Sequence, residues 1–357
     1  MEINQKKIKI TGVGSYIPEL SVDNTDFDKH IFLNDDGTPF THSNEVVIGK
    51  FKSITGIQKR RYANPDQNTS DLAFLASQKA IENAGIDPET IDYIIFAHNF
   101  GDVKYGTIQS DIIPSLATRV KHKLQIKNPK CIAYDILFGC PGWIEGMLQA
   151  QAFIKSGMAN RCLVIGAETL SRVTDPHDRD SMIYSDGAGA TIVEMSDDES
   201  GLLSYESATF AVDEAGYLFF GKSYNTALDP DTKYIKMFGR KIYEFALIEV
   251  PAAMKSCLDK SGYGIDDVKK ILIHQANEKM DEAIINRFYK LYEKAVPKNI
   301  MPMSIHELGN SSVATVPTLL DLLIQGKIEN QELHKGDILI FASVGAGMNI
   351  NAFIYRY

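Results

Sequence analysis

The chain alternates short, wholly apolar runs with longer stretches in which apolar residues return every three or four positions. Tyr93-Ile94-Ile95-Phe96 and Ile271-Leu272-Ile273 are of the first kind and predict strands buried on both faces. Each follows an amphipathic stretch. Residues 72–99 read LAFLASQKAIENAGIDPETIDYIIFAHN, and residues 250–277 read VPAAMKSCLDKSGYGIDDVKKILIHQAN. Both predict a helix, a glycine stop (Gly85; Gly262 or Gly264), an Ile-Asp segment and a strand.

The echo continues further along. GCPGWIEGMLQAQAFIKSG (139–157) and GNSSVATVPTLLDLLIQG (309–326) each predict a small turn running into a helix that ends in glycine. A strand follows each, Arg161–Gly166 and Asp337–Ala342. Each half then closes on a predicted Gly-Ala-Gly turn and a last strand, at Gly187-Ala188-Gly189 and Gly345-Ala346-Gly347. Four matched features in one order make an internal duplication the stronger reading over chance similarity. Strand–helix alternation in both halves predicts an α/β fold with mostly parallel sheets. The acidic stretch Ser196–Gly201 divides residues 1–200 from 201–357. A pseudo-twofold axis then allows the helix starts near Cys140 and Asn310 to face one site.

The 357 residues suit two ordinary cores, and 44% hydrophobic with 23% charged residues is a soluble balance. A net charge of −9 argues against general nucleic-acid binding, which needs a basic face, while leaving room for a local basic patch. No apolar run reaches the roughly 18 residues a membrane span needs. The start, Met1 to Lys7, lacks a signal-peptide apolar region and cleavage site. Four cysteines without a CxxC or CxxH pair predict neither a disulfide framework nor a metal site, which fits a reducing, cytoplasmic setting.

Among the cysteines, Cys140 stands apart. An apolar strand is expected to end at Gly139, and a helix begins within two or three residues. A thiol there meets the positive end of the helix dipole, which favours thiolate, and free N–H groups able to hold an oxyanion. Cys162 and Cys257 fit the plainer reading of buried structural cysteines, and Cys131 fits it moderately. His274 follows a buried strand at the end where α/β sheets bind ligands, although a lone histidine there is more often a satisfied core residue. His98, its counterpart in the first half, reads as structural or merely near the site. Asn310 alone reads as a turn former or helix cap. A Cys–His–Asn set can form an acyl-transfer site if the three meet in space.

These residues resemble the β-ketoacyl-acyl-carrier-protein synthase III group of condensing enzymes over nearly the whole chain. The resemblance rests on Gly12-Val13-Gly14-Ser15-Tyr16-Ile17-Pro18, Ile54-Thr55-Gly56-Ile57 followed by Arg60-Arg61, and Gly139-Cys140-Pro141-Gly142. It continues through Ser185-Asp186-Gly187-Ala188-Gly189-Ala190, His274-Gln275-Ala276-Asn277, Gly309-Asn310-Ser311-Ser312 and Gly345-Ala346-Gly347. It implies a thiolase-like fold: duplicated βαβαβαββ halves in five layers, α-β-α-β-α, as a homodimer. It implies an acyl-Cys140 intermediate and decarboxylative Claisen condensation, with His274 and Asn310 holding the extender carbonyl. The backbone N–H groups of Cys140 and Gly345 would form the oxyanion hole. Asn277, Lys279, Tyr184 and Val344 would bind substrate, with Met182 and Phe100 lining the tunnel. No metal or organic cofactor is implied. The partners are acyl carrier protein or coenzyme A thioesters.

The departures shape this expectation. Lys50 and Ile54 stand where fatty-acid-initiating members that resemble this chain have a Trp and an Arg that clamp coenzyme A. Lys236, Arg240, Lys241, Lys279 and Arg287 could form a basic patch for the carrier, or simply be solvated, while Glu244 opposes it. The segments Val22–Phe51 and Asn99–Lys130 are longer than usual and expected as loops. They hint at secondary metabolism, with the dialkylresorcinol-forming ketosynthases one candidate subgroup. The rivals are a non-decarboxylating acyltransferase of the same fold, disfavoured by the lack of a second cysteine near Gly345, and a non-catalytic partner subunit, disfavoured by the presence of Cys140, His274 and Asn310.

Overall fold

Local signals fix the ends of the elements. Asp71 Oδ2 accepts from the Asn68 N–H (2.8 Å) at the start of the first long helix, and Gly85, at φ 63°, ends it. In the second half Gly262 is the left-handed stop, at φ 84°, and Gly264 lies beyond it. The computed structural model describes residues 7–357; Met1 to Lys6, on which most of the N-terminal leader reading falls, lie outside the described residues.

In chain order the first half provides β1 (Ile8–Tyr16), α1 (Asn44–Thr55), α2 (Thr69–Ala84), β2 (Tyr93–Ala97) and α3 (Leu116–Lys123). It continues with β3 (Ile132–Ile136), α4 (Gly142–Lys155), β4 (Arg161–Thr169) and β5 (Asp186–Met195). The second provides β6 (Gly201–Thr209), α5 (Gly239–Ser261), β7 (Val268–Ile273), α6 (Glu278–Lys290), α7 (Thr315–Ile324), β8 (Ile338–Gly345) and β9 (Asn349–Arg356). The first sheet has the order β1-β5-β4-β2-β3 and the second β6-β9-β8-β7. β2 runs parallel to β3 and β4, and β7 parallel to β8, while β5 and β9 are antiparallel to their neighbours.

Three apolar clusters stack these sheets into five layers. α2 and α3 cover the outer face of the first sheet through Leu72, Ala76, Ala80, Leu116 and Val120. α4 and α7 lie between the sheets, where Trp143, Met147, Leu319 and Leu323 meet Val164, Phe341 and Phe353. α5 and α6 cover the second sheet through Val250, Met254, Ile284 and Phe288. Each central strand is thus buried on both faces. Consecutive residues of β4, Leu163 and Val164, belong to different clusters. Burying each such side chain contributes about 1.5–3 kcal/mol, which is why the runs are continuously apolar.

The structure corrects several details. The first half is βαβαβαββ around the extra helix α1, but among the described residues the second lacks the strand matching β3. The segment that replaces it carries Pro302 and bonds β7 through Ile271 N to Ile300 O (2.8 Å), and proline cannot donate to a ladder. Gly187-Ala188-Gly189 is not a turn. It lies inside β5, where a Cβ on Gly189 would stand 2.7 Å from Pro317 Cβ. Gly189 admits α7, and only Gly345-Ala346-Gly347 turns the chain. β3 stops at Ile136, three residues before Gly139, and a 3-10 turn (Ser312–Ala314) separates Asn310 from α7. The segment 22–51 is no mere loop. Phe27, Phe32, Val47, Ile48 and Phe51 pack with Leu170, Val173 and Met182. Arg60 ties that unit down, its guanidinium donating to Met182 O, Val22 O and Asn24 Oδ1.

Candidate active site

Cys140 sits in a sharp elbow between β3 and α4. Gly139 has φ 67°, and a Cβ there would lie 2.6 Å from the backbone N of Ala346. A Cβ on Gly345 would lie 2.4 Å from the backbone N of Cys140. Glycine at both places lets the elbow and the Gly345 turn touch backbone to backbone. Pro141 stands at the N-cap of α4 and offers no side-chain cap. No cap side chain therefore occupies the N–H groups of that first turn, which suits a developing negative charge, although Glu145 lies in the same turn.

His274 follows β7 and is fixed by its backbone N–H donating to Ala342 O (2.9 Å). The ring is buried, Nδ1 has no hydrogen-bond partner, and burial lowers its pKa to about 4. The imidazole is therefore neutral at pH 7 and keeps one N–H to donate. Gln275 beside it holds the segment that lacks a strand, donating to Pro302 O and accepting from Ser304 N. Asn310 is pinned by its N–H to Ile183 O (3.0 Å) and by Ser185 N to its own carbonyl (2.8 Å). Its Oδ1 accepts from Ser312 N (2.8 Å), which leaves the amide NH2 directed elsewhere as a donor.

Cys140, His274 and Asn310 line one cavity of about 360 Å³. Tyr184, Asn277, Val344 and Gly345 line it too, as does Phe100. Asn277 doubles as the N-cap of α6, accepting from Met280 N (3.1 Å). Burial raises the pKa of the Tyr184 phenol well above its usual value, so it stays neutral. The rest of the wall is apolar and comes largely from the hairpin Leu218–Lys222 with Lys233–Met237, whose Phe220 stacks on Phe100 at 4.8 Å.

Other residues singled out in the sequence lie outside the cavity wall. Lys279 is exposed on α6 and does not line the cavity, and Met182 is packed in the core. Lys236 belongs to no surface patch. It is buried and paired with Asp175 (2.6 Å) and Asp178 (3.0 Å). Arg240 is exposed but engaged by Glu244. The thiolate expected from the helix dipole is opposed by desolvation. Burial pushes the Cys140 thiol up to about 11, with the Ser312 hydroxyl pulling the other way (3.3 Å to Sγ).

The sequence reading missed Glu168, Asn99 and Ser312. Glu168 is fully buried at the C-terminal end of β4, and its Oε1 accepts from the backbone and side-chain N–H of Asn99. The signal was available: a lone carboxylate closing an apolar run at the ligand-binding end of a strand. Among the described residues no group of three or more His, Cys, Asp or Glu side chains could hold a metal ion.

Comparisons with known proteins bear on this geometry. Residues 134–210 match the family model for 3-oxoacyl-[acyl-carrier-protein] synthase III, and residues 258–357 match the model for its C-terminal part. The chain is 32% identical over 351 residues to the β-ketoacyl-[acyl-carrier-protein] synthase III of Staphylococcus haemolyticus, covering 98% of this chain and 99% of that one. The crystal structure of 3-oxoacyl-[acyl-carrier-protein] synthase III from Aquifex aeolicus superposes with a TM-score of 0.79 at 30% identity, covering 99% of this chain and all of that one. The priming β-ketosynthase of the R1128 polyketide pathway shares the fold at a TM-score of 0.80 and 24% identity, covering 100% of this chain and 98% of that one.

Proposed function

Because the chain belongs to the 3-oxoacyl-[acyl-carrier-protein] synthase III family of thiolase-like condensing enzymes, we propose that it joins two thioesters by decarboxylative Claisen condensation through an acyl-Cys140 intermediate. The observation that carries this reading is one apolar cavity holding a cysteine at a helix start, a neutral histidine and an oriented asparagine amide.

In the first step Cys140 Sγ forms a bond to the acyl carbon. The donor's carbon–sulfur bond breaks, and the Cys140 proton leaves on the departing thiol. In the second step the extender's thioester oxygen accepts from His274 and from the Asn310 NH2. The bond to its carboxylate carbon then breaks, CO2 departs, and the electron pair stays as an enolate held by those two donors. A neutral imidazole suits this task because it donates to the enolate oxygen without surrendering its proton. In the third step the enolate carbon attacks the acyl carbon. The backbone N–H groups of Cys140 and Gly345 hold the tetrahedral oxyanion, and collapse releases the Cys140 thiolate with the 3-oxoacyl product.

The apolar wall suits an acyl chain rather than a polar starter. Lys50 and Ile54 lie exposed on α1, which packs against α6, the helix that carries Lys279. That face offers no aromatic clamp for an adenine and suits an acyl carrier protein as donor. The same gap supports β-ketoacyl extenders, as dialkylresorcinol-type chemistry requires, as the finer reading. A homodimer belongs to the proposal, supported by β3 as an edge strand with Ile132, and Leu137 just past its end, exposed.

Intact-mass analysis after incubation with acyl-CoA and acyl-carrier thioesters tests the reading. One acyl adduct is expected, and it must vanish in Cys140→Ala. His274→Ala and Asn310→Ala should still acylate while losing CO2 release from a malonyl-type or β-ketoacyl-type extender. An adduct persisting in Cys140→Ala overturns the proposal.

A further inference from the structure

We propose that Glu168, Asn99 and Ser312 form a hydrogen-bond chain that presents the Ser312 hydroxyl to the Cys140 sulfur as a dedicated donor and so sets the reactivity of the thiol. The proposal rests on Cys140 being the nucleophile.

The chain runs through four segments that are remote in sequence. Glu168 Oε1, at the end of β4, accepts from Asn99 N (2.8 Å) and from Asn99 Nδ2 (2.5 Å). That pair of bonds decides which way the Asn99 amide faces. The second hydrogen on Nδ2 donates to Ser312 Oγ (3.1 Å). With a lone pair occupied from that side, the Ser312 hydroxyl proton is directed to Cys140 Sγ, 3.3 Å away. The backbone of Ser312 supports the arrangement. It stands at φ 53°, a conformation non-glycine residues adopt at a cost of order 1 kcal/mol, and its N–H is bonded to Asn310 Oδ1. A backbone strained in this way at a reactive sulfur points to a geometric requirement.

A hydrogen bond to sulfur is weak for a thiol and much stronger for a thiolate, so a fixed donor favours the ionised form. The other ionisable groups around Cys140 are Glu168 from β4, His274 after β7 and Tyr184 before β5. None supplies a positive charge at pH 7, since burial holds His274 and Tyr184 neutral. Burial likewise raises the Glu168 carboxyl to about 8, so at pH 7 it is mostly protonated. A neutral carboxyl still accepts from Asn99 and keeps negative charge away from the sulfur. Its Oε2 is buried without a partner. The Ser312 hydroxyl is then the one side-chain donor the structure gives the sulfur among the described residues. Ser312, Asn99 and Glu168 act here as positioning residues. They exchange no proton with substrate, and the Cys140 proton still leaves on the departing thiol.

The test is the pH profile of Cys140 alkylation by iodoacetamide in the full-length protein, read by intact mass with Cys140→Ala as the blank. Ser312→Ala should slow alkylation at pH 7 about tenfold and displace the profile to higher pH, the loss expected for one hydrogen bond to a charged group. Ser312→Thr restores the hydroxyl and should recover most of the rate. Glu168→Gln retains a carbonyl for Asn99 and should stay within about threefold of wild type at pH 7. Thermal melts of each variant establish that the fold is intact. A Ser312→Ala profile that overlays the wild type overturns the proposal. So does a folded Ser312→Thr protein as slow as Ser312→Ala. Iodoacetamide needs no acyl donor, so the profile decides the matter whether or not Cys140 accepts an acyl group.

Discussion

His98 and His274 occupy matching places, one residue after β2 and one residue after β7, yet the two halves of the molecule treat them in opposite ways. His98 is fully satisfied. Its Nε2 meets Asp135 Oδ2 at 3.0 Å, and its Nδ1 accepts from Gly101 N at 3.0 Å. Asp135 in turn accepts from the first turn of α3 at Leu116 and Ala117. His274 is equally buried but has an orphaned Nδ1 and faces the cavity. A buried polar atom without a partner costs about 1–3 kcal/mol. One half of the duplication uses its histidine to hold the fold together, and the other carries an unsatisfied one where a substrate oxygen can approach.

The comparison is sharpened first by kinetics. His274→Ala should lower condensation turnover about 10²–10³-fold, the usual loss for one donor to a developing oxyanion, with little loss of stability. Steady-state kinetics beside chemical denaturation checks both halves of that statement, and a large loss of stability would break the contrast. The second test compares the glycines of the two Gly-Ala-Gly segments. Gly345→Ala must displace the Cys140 backbone and should cost turnover about 10²-fold. Gly187→Ala places its Cβ in ordinary contact, 3.5 Å from Ser311 Cβ, and should leave turnover within a factor of about two.

The third test uses pH. The ordinary His pKa is 6.5, and burial holds His274 near 4 in the folded chain. As pH falls from 6.5 to 4 the unfolded chain takes up a proton that the folded chain refuses, so stability drops. The loss is about 3 kcal/mol across that window and is absent above it. The difference in unfolding free energy between wild type and His274→Ala should therefore shift in the variant's favour on acidification. The smallest effect belongs to the satisfied partner. His98→Ala should cost about 2 kcal/mol of stability, by leaving Asp135 and Gly101 N short of a bond, with turnover per folded molecule nearly kept.

Much of this was legible in the sequence. Periodicity and glycine stops located α2, α4, α7 and the central strands, because those signals are local. The family and the thiolase-like fold read from the motifs are borne out by 32% identity over 98% of the chain and by the Aquifex structure. What escaped depends on contacts between distant segments. Nothing local distinguishes a glycine that turns the chain from one that admits a helix, as at Gly189 against Pro317. Lys236 looks like any surface lysine until β-hairpin register buries it against Asp175 and Asp178. Ser312 and Asn99 are 213 positions apart and gain their meaning only in space.

The stack of Phe100 on Phe220 has a consequence for how such an enzyme can change. The reacting groups sit on the ends of the duplicated strands and helices, whereas that aromatic wall is built from a hairpin and a long connection outside them. Under the proposed chemistry, the wall that would measure an acyl chain is therefore separable from the reacting groups. Each additional methylene the wall covers multiplies kcat/KM by about four, from roughly 0.8 kcal/mol per buried CH₂. Redesign confined to the hairpin can move that limit while the catalytic elbow stays as it is.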